Sequence, residues 1–278
     1  MNSTRRRWIG QALFSVCGMA GGSAAWAGGF ERRQALLVRN QLRCPRLRES
    51  QHGIKVLHLT DLHVDDWTPG VVLEQAALLC ETEKPDLVVL TGDFISRRPD
   101  LLRSRAGELA RLRAPLGQFA CLGNHDRWHG AGEVMTTLGD LGIRTLVNES
   151  VRLQAPGGPL TLAGLDSAWG GRPDARGALR NANPAEPLLL LLHEPDPAEE
   201  LGAAGLQAAQ LSGHTHGGQV RAPWIGAIMT PRLGRKFVRG GYQTGDMHLY
   251  VNPGLGTMGV PFRAFCRPEV TVHELVPA

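Results

Sequence analysis

Long apolar runs are missing from this sequence. A membrane-spanning helix needs about 20 apolar residues, and the richest stretch, Trp8 to about Ala20, barely supplies them. Aromatic residues are scarce, at 5% of 278 residues, whereas glycines number 35, a balance that suits a loop-rich α/β enzyme better than a helical bundle. Paired cysteines are also missing. Cys44, Cys80, Cys121 and Cys266 lie far apart with no CxxC spacing, which disfavours a thiolate metal site and predicts buried free thiols. The net charge is only +4, and three of those charges are Arg5, Arg6 and Arg7, in a stretch of 27 residues with no acid. The remainder is near neutral, which excludes the broad basic face of a nucleic-acid binder. No internal repeat or low-complexity tract stands out.

What is present begins with a leader-like segment. Residues 1–27, "MNSTRRRWIGQALFSVCGMAGGSAAWA", place a basic region before a weakly apolar one and end on Ala25-Trp26-Ala27, a small-x-small cleavage site. The "TRRRWIG" run resembles a twin-arginine export signal, so the expected location is exported: periplasmic, or associated with the membrane or cell envelope. A retained anchor is the alternative. Residues 28–50 are arginine-rich and read as a basic linker with an edge strand near Leu36 to Leu42, or as a collar facing anionic lipid headgroups.

Residues 51–278 read as a single α/β domain. "IKVLHLTDLH", "PDLVVLTGD" and "GQFACLGNHD" are continuous apolar runs, separated by the helically spaced "VVLEQAALLCETEK" and "LLRSRAGELARLRA". Strands apolar on both faces that alternate with helices indicate βαβ units. Farther on, "IRTLVNESVRLQ", "LTLAGLD", "EPLLLLLHEPD", "AAQLSGHTHGGQV", "MHLYVNPGLG" and "EVTVHELV" read as further strands. The predicted architecture is two packed mixed β-sheets flanked by helices, a four-layer α-β-β-α sandwich.

Polar clusters stand where these strands end, which is where ligands collect in such sheets. In order they are Asp61-x-His63, Gly92-Asp93, Gly123-Asn124-His125-Asp126, His193 and Gly213-His214-Thr215-His216. In an extended segment Asp61 and His63 point the same way. Carboxylates, an amide oxygen and imidazoles without thiolate suit Mn, Fe or Zn. Each cluster alone is a weak signal; all five in this order are specific. The glycines around His214 and His216 leave room for something to approach closely.

This order resembles that of the calcineurin-like metallophosphoesterases, DxH, GD, GNH[DE], a lone His, then GHxH, over nearly all of residues 54 to 275. The resemblance implies two divalent metal ions, manganese favoured. Asp61, His63 and His216 would hold the first metal, Asn124, His193 and His214 the second, and Asp93 would bridge them. His125 would face the substrate, oriented by Asp126, as the catalytic pair. The implied reaction is phosphoester hydrolysis by water activated between the metals, with His125 protonating the leaving alkoxide. Thr60 stands where many relatives carry Ser, with no expected consequence. The tail from Arg232 to Leu275 resembles a bacterial branch of membrane- or wall-associated phosphodiesterases.

Substrate signals are thinner. "RAPWIGAIMTPRLGRKFVRGGY" mixes Trp224, Ile225, Ile228 and Met229 with Arg232, Arg235, Lys236 and Arg239. It reads as a loop gripping an anionic lipid or glycolipid headgroup, or as a β-hairpin with solvated arginines. Arg127, Trp128 and His129 sit beside His125, and a structural role is preferred for Arg263. The expected partners are a phosphodiester or phospholipid-like substrate and an anionic membrane surface, with the chain a monomer. Two alternatives stand: a pyrophosphate hydrolase of the UDP-2,3-diacylglucosamine type in lipid A assembly, and a non-catalytic metal-stabilised binding module. The HxHxDH cluster of the metallo-β-lactamases is absent.

Overall fold

The strands that read as apolar runs in the sequence divide their side chains between two cores. In the computed structural model, which describes residues 29–65 and 67–278, one sheet has the order β1-β14-β2-β3-β4-β5. Its strands are β1 (Leu36–Cys44), β2 (Lys55–Leu59), β3 (Leu87–Thr91), β4 (Gln118–Cys121), β5 (Ile143–Thr145) and β14 (Glu269–Pro277). The second sheet has the order β12-β13-β9-β8-β7-β6. It comprises β6 (Glu149–Ala155), β7 (Gly158–Gly164), β8 (Leu188–Leu191), β9 (Ala208–Ser212), β12 (Gly240–Thr244) and β13 (Met247–Val251). A small hairpin, β10 (Arg221–Ala222) with β11 (Gly226–Ala227), stands apart. Both large sheets are mixed: β2 to β5 are mutually parallel and β14 runs against β2, while β7, β8, β9 and β13 are parallel between antiparallel β6 and β12.

Alternation along each strand creates the layers. Val56, Leu87, Val89, Phe119 and Cys121 of the first sheet meet Leu160, Leu162, Leu189, Leu191, Ala209 and Leu211 of the second, forming the central core. Their neighbours Leu57, Leu59, Val88, Leu90 and Ala120 face outward and are covered by Val72, Leu73, Ala76 and Cys80 of the helix Gly70–Glu83. Among the described residues, the helices on the outer face of the second sheet are the short Ala175–Ala178 and Ala198–Ala203. The four layers are therefore as expected, with the last one thin.

Two local expectations change, and the edge strand expected near Leu36 to Leu42 is present. "LLRSRAGELARLRA" is divided between a 3-10 helix, Pro99–Arg105, and a short α-helix, Ala106–Ala110, with a break where Arg105 leaves helical backbone angles. "IRTLVNESVRLQ" is two strands in different sheets. Asn148 takes a left-handed φ of 54° between them and turns β6 away from β5. Leu36–Cys44 is an edge strand, nine residues in parallel register with β14, and so is an integral part of the first sheet. The leader read in residues 1–27 lies outside the described residues. Among the described residues no helix is long and apolar enough to cross a membrane.

Candidate metal centre

The polar clusters converge because the loops leaving the parallel strands keep pairing after the strands end. The N–H of Asp61 donates to Gly92 O (3.0 Å), that of His63 to Asp93 O (3.0 Å) and that of Val64 to Phe94 O (2.8 Å). The sequence suggested an extended segment here, but Asp61 and His63 are left-handed, with φ of 49° and 42°. Such backbone costs of order 1–3 kcal/mol per residue and persists only where the surroundings over-determine it. Asp93, His214 and His216 share the feature, with φ of 53°, 73° and 51°. The glycine before His214 is required by space: a Cβ on Gly213 would collide with Thr60 Oγ1 and Asp61 Oδ2.

The donors fall into two buried groups. Asp61, His63 and His216 form one, and Asp93, His193 and His214 the other. In the first, His216 Nε2 lies 3.1 Å from His63 Nε2 and 3.3 Å from Asp61 Oδ1. In the second, His193 Nε2 lies 3.1 Å from Asp93 Oδ2 and 3.3 Å from His214 Nδ1. Asp93 Oδ2 is also 3.5 Å from His63 Nε2, which places it between the groups. His214 and His216, two residues apart in sequence, therefore serve different groups.

Second partners leave the inward atoms open. His193 Nδ1–H donates to Thr91 O (2.6 Å) and His214 Nε2–H to Arg232 O (2.7 Å). Ser96 Oγ gives its proton to Asp65 Oδ2 (2.6 Å), so it accepts from His63 Nδ1–H (3.2 Å). Each of these imidazoles is left with a lone pair facing its group, the arrangement that tunes metal-bound histidines. Asp61 Oδ2 accepts from Thr60 Oγ1 and His214 N–H, and Asp93 Oδ1 from His125 N–H. Asp61 Oδ1 and Asn124 Oδ1 are buried with no hydrogen-bond partner among the described residues. An orphaned buried acceptor costs roughly 1–3 kcal/mol, and a divalent cation at each group removes that cost. Burial pushes the Asp61 carboxyl up to about 6 and His63 down to about 3. Both shifts record a desolvated cluster whose charges call for a cation. The residues fit two metal ions.

His125 lies on the short helix Asn124–His129 and lines the cavity over the donors. Its Nδ1–H donates to Ser96 O (2.8 Å), and its ring packs edge-on against His63 and Trp128. This corrects the expected role of Asp126. Both Asp126 oxygens are spent on backbone: Oδ2 accepts from Asp93 and Gly123 N–H, Oδ1 from Phe94 and Ile95 N–H. Asp126 therefore joins the loops after β3 and β4, and the Ser96 carbonyl holds His125. Gly123 is needed there, since a Cβ would collide with Asp93 Oδ1.

Several contributors were not singled out in the sequence. Buried Glu194, next to His193, accepts from Ser167 Oγ (2.5 Å), Ala168 N–H (2.7 Å) and Trp169 N–H (3.1 Å). It thereby fixes Trp169 edge-on to His214 and Trp128. A carboxylate at the end of an apolar run was the available signal. Arg263, fully buried, donates to the carbonyls of Pro253, Gly254, Gly256 and Cys266, which bears out its structural role. Arg127 pairs with Asp166 (2.5 Å), while Trp128 and His129 are exposed. In the basic stretch, Lys236 is tied to Glu199 and Arg239 to Glu269, so part of its charge is structural. The cavity, about 510 Å³, is metal ligands on its floor and largely apolar on its walls: Trp169, Val220, Ile228, Met229, Val260 and Phe262.

Residues 54–218, which contain every donor above, match the family described as calcineurin-like phosphoesterase. The chain belongs to that family. Among relatives of this calcineurin-like phosphoesterase is the uncharacterized metallophosphoesterase YkuE of Bacillus subtilis, 34% identical over 92% of this chain and 91% of the relative. Another is the phosphodiesterase YaeI of Escherichia coli, 34% identical over 86% of this chain and 88% of that one. A crystal structure from Thermus thermophilus covers 73% of this chain and 90% of its own, with a TM-score of 0.50 at 13% identity, a likeness of fold. As a calcineurin-like phosphoesterase the protein is a phosphoester hydrolase, and its two ligand groups make divalent metals its cofactor class.

Proposed function

We propose that the protein is a dinuclear-metal phosphodiesterase acting on diesters that carry an apolar arm, of the lipid or cell-envelope class. The observation that carries the reading is the pair of buried donor groups sharing Asp93, with the oxygens of Asp61 and Asn124 orphaned beneath an apolar-walled cavity. Two divalent cations there would lower the pKa of a water molecule and neutralise charge on phosphate oxygens. Oxygen and nitrogen donors without thiolate suit Mn, Fe or Zn, and Mn is the ion proposed. Asp61, His63 and His216 would hold one ion, Asn124, His193 and His214 the other, and Asp93 both.

The chain's own residues supply the rest. With Nδ1–H committed to Ser96 O, His125 offers only Nε2 to the cavity. As an imidazolium it can give that proton to the departing alkoxide. Trp169, Ile228, Met229 and Val260 offer apolar surface beside the phosphate position that can accept an apolar substituent. The name of the YaeI relative supports diester specificity. The exported, envelope-associated location read in the N-terminal sequence belongs to this proposal, as does a monomeric state.

The test is hydrolysis of bis-p-nitrophenyl phosphate against p-nitrophenyl phosphate, by protein stripped of metal and reloaded with Mn, Fe or Zn. Metal-dependent cleavage that favours the diester is expected. Metal-loaded protein that cleaves neither compound, yet hydrolyses a nucleotide-linked glycolipid pyrophosphate, would replace this reading with the pyrophosphatase one. Inactivity on all three would leave a binding module.

A further inference from the structure

The most exposed large apolar side chains among the described residues fall in two adjoining segments. Trp224 is fully exposed at the tip of the β10–β11 hairpin, in a left-handed turn with φ of 65°. Ile225 is 81% exposed, Ile228 63% and Met229 80%. The hairpin is joined to the segment after Phe262: Val220 bridges Ala264, and Arg221 N–H donates to Ala264 O. That contact sets Phe265, 68% exposed, alongside. Soluble monomers rarely leave contiguous apolar surface of this kind without a partner.

Charge says which partner. Of the seven lysines and arginines from Leu201 to Pro268, Arg263 is buried and Lys236 and Arg239 are paired with Glu199 and Glu269, which leaves Arg221, Arg232, Arg235 and Arg267 without an ion pair among the described residues. Arg232, beside the cavity-lining Thr230 and Pro231, is exposed and has no carboxylate partner among the described residues. Arg97 is likewise exposed, in a second cavity that shares Met258 and Gly259 with the first. Bulky apolar tips with cations on the flanks match the interface of a bilayer that carries anionic lipid. The position of the N-terminal segment agrees. The Glu31 carboxylate accepts from Phe265 N–H (3.1 Å) and Cys266 N–H (2.6 Å), so the described chain begins beside this patch. The basic and apolar residues 5–20 precede it in sequence.

We propose that the Trp224–Met229 hairpin and Phe265 form a docking surface that inserts into the headgroup region of anionic membranes. Ile228, Met229 and Val260 belong both to this surface and to the wall of the metal-centre cavity. Docking therefore turns the cavity mouth toward lipid phosphates. This last step rests on the phosphodiesterase reading; the docking itself does not.

The experiment uses the full chain loaded with metal, and large vesicles of phosphatidylcholine alone or mixed with phosphatidylglycerol. Trp224 and Ile225 lie outside the cavity, so the double variant W224S/I225S removes insertion without touching the site. The parent should sediment with the phosphatidylglycerol vesicles, less so at high salt as the arginine contribution is screened. The double variant should bind at least about tenfold more weakly, given the apolar area withdrawn. Both should cleave soluble bis-p-nitrophenyl phosphate equally, and circular dichroism should match. The leader is common to both proteins, so its contribution cancels. Equal vesicle binding by parent and variant, or no binding by either, would overturn the proposal. So would a parent that is a dimer in solution and a variant that is a monomer, because the patch then covers a second copy. Loss of soluble-diester turnover in the parent would instead sink the phosphodiesterase reading and leave docking standing.

Discussion

His193 donates its Nδ1–H to the carbonyl oxygen of Thr91, 2.6 Å away, and that bond joins the two sheets at the metal centre. Thr91 is the last residue of β3 in the first sheet, two positions before Asp93, whereas His193 follows β8 in the second. One hydrogen bond thus sets the tautomer of a ligand and the distance between ligands from separate sheets.

The donor groups predict metal content residue by residue. His193→Ala should lose about half the bound metal, and Asp93→Ala most of it, because only Asp93 reaches both groups. Elemental analysis of purified variants checks this. Chelation should lower Tm by several degrees, since ligand binding stabilises the folded state by mass action. Equal metal loss in both variants would remove Asp93 from its shared position.

His125→Ala should keep its metals and lose about 10²–10⁴ in kcat, the usual span for a general acid. Full turnover with intact metal would end that assignment. The proton donor also predicts that a diester with a better leaving group loses less, because it needs no protonation.

Asp126 should behave differently. Asp126→Ala orphans four buried backbone N–H groups, each worth roughly 1–3 kcal/mol. Urea unfolding should show a loss of several kcal/mol together with weaker metal retention. The pH profile of the remaining activity should be unchanged, whereas a profile that moves would return Asp126 to the side of His125.

Stability should fall in mild acid through two buried histidines that are not among the metal donors. His273 is buried and pushed down to about 3, and His58, against which its ring packs, is likewise driven well below its ordinary value by burial. The folded protein leaves them neutral, while the unfolded chain binds protons below about pH 6.5. Stability is therefore full above that pH and drains away as pH falls toward 3, by on the order of a few kcal/mol. Urea midpoints of parent and His273→Asn, taken across that window, should converge in acid; parallel lines would refute it.

The apolar runs made β2, β3, β4 and β8 legible, because strands covered on both faces have no polar side to interrupt them. The order of polar clusters after those runs was enough to nominate all seven donors and His125. The structural role preferred for Arg263 also agrees with its buried bonds to backbone carbonyls. Less legible was anything set by contacts distant in sequence. The resemblance implied a pair of His125 and Asp126, but neighbouring residues on a helix turn do not face each other, and the Asp126 oxygens went to Gly123 N–H and to three amides 31 to 33 residues away. Glu194 showed no motif, since its three partners lie 25 to 27 residues back.

What the sequence determined alone was therefore periodic or local: two layers of apolar strands, and the chemical identity of the groups at their ends. The tertiary structure decided which groups share a cation and which nitrogen of each imidazole is free. It also decided that Asn148 sends adjacent strands to different sheets, and that the hairpin apolars stand in solvent beside the cavity mouth. The reason is physical. Periodicity reports which side of an element is buried, whereas hydrogen-bond partners and ligand sharing depend on distances across the packed sheets, which no local pattern encodes.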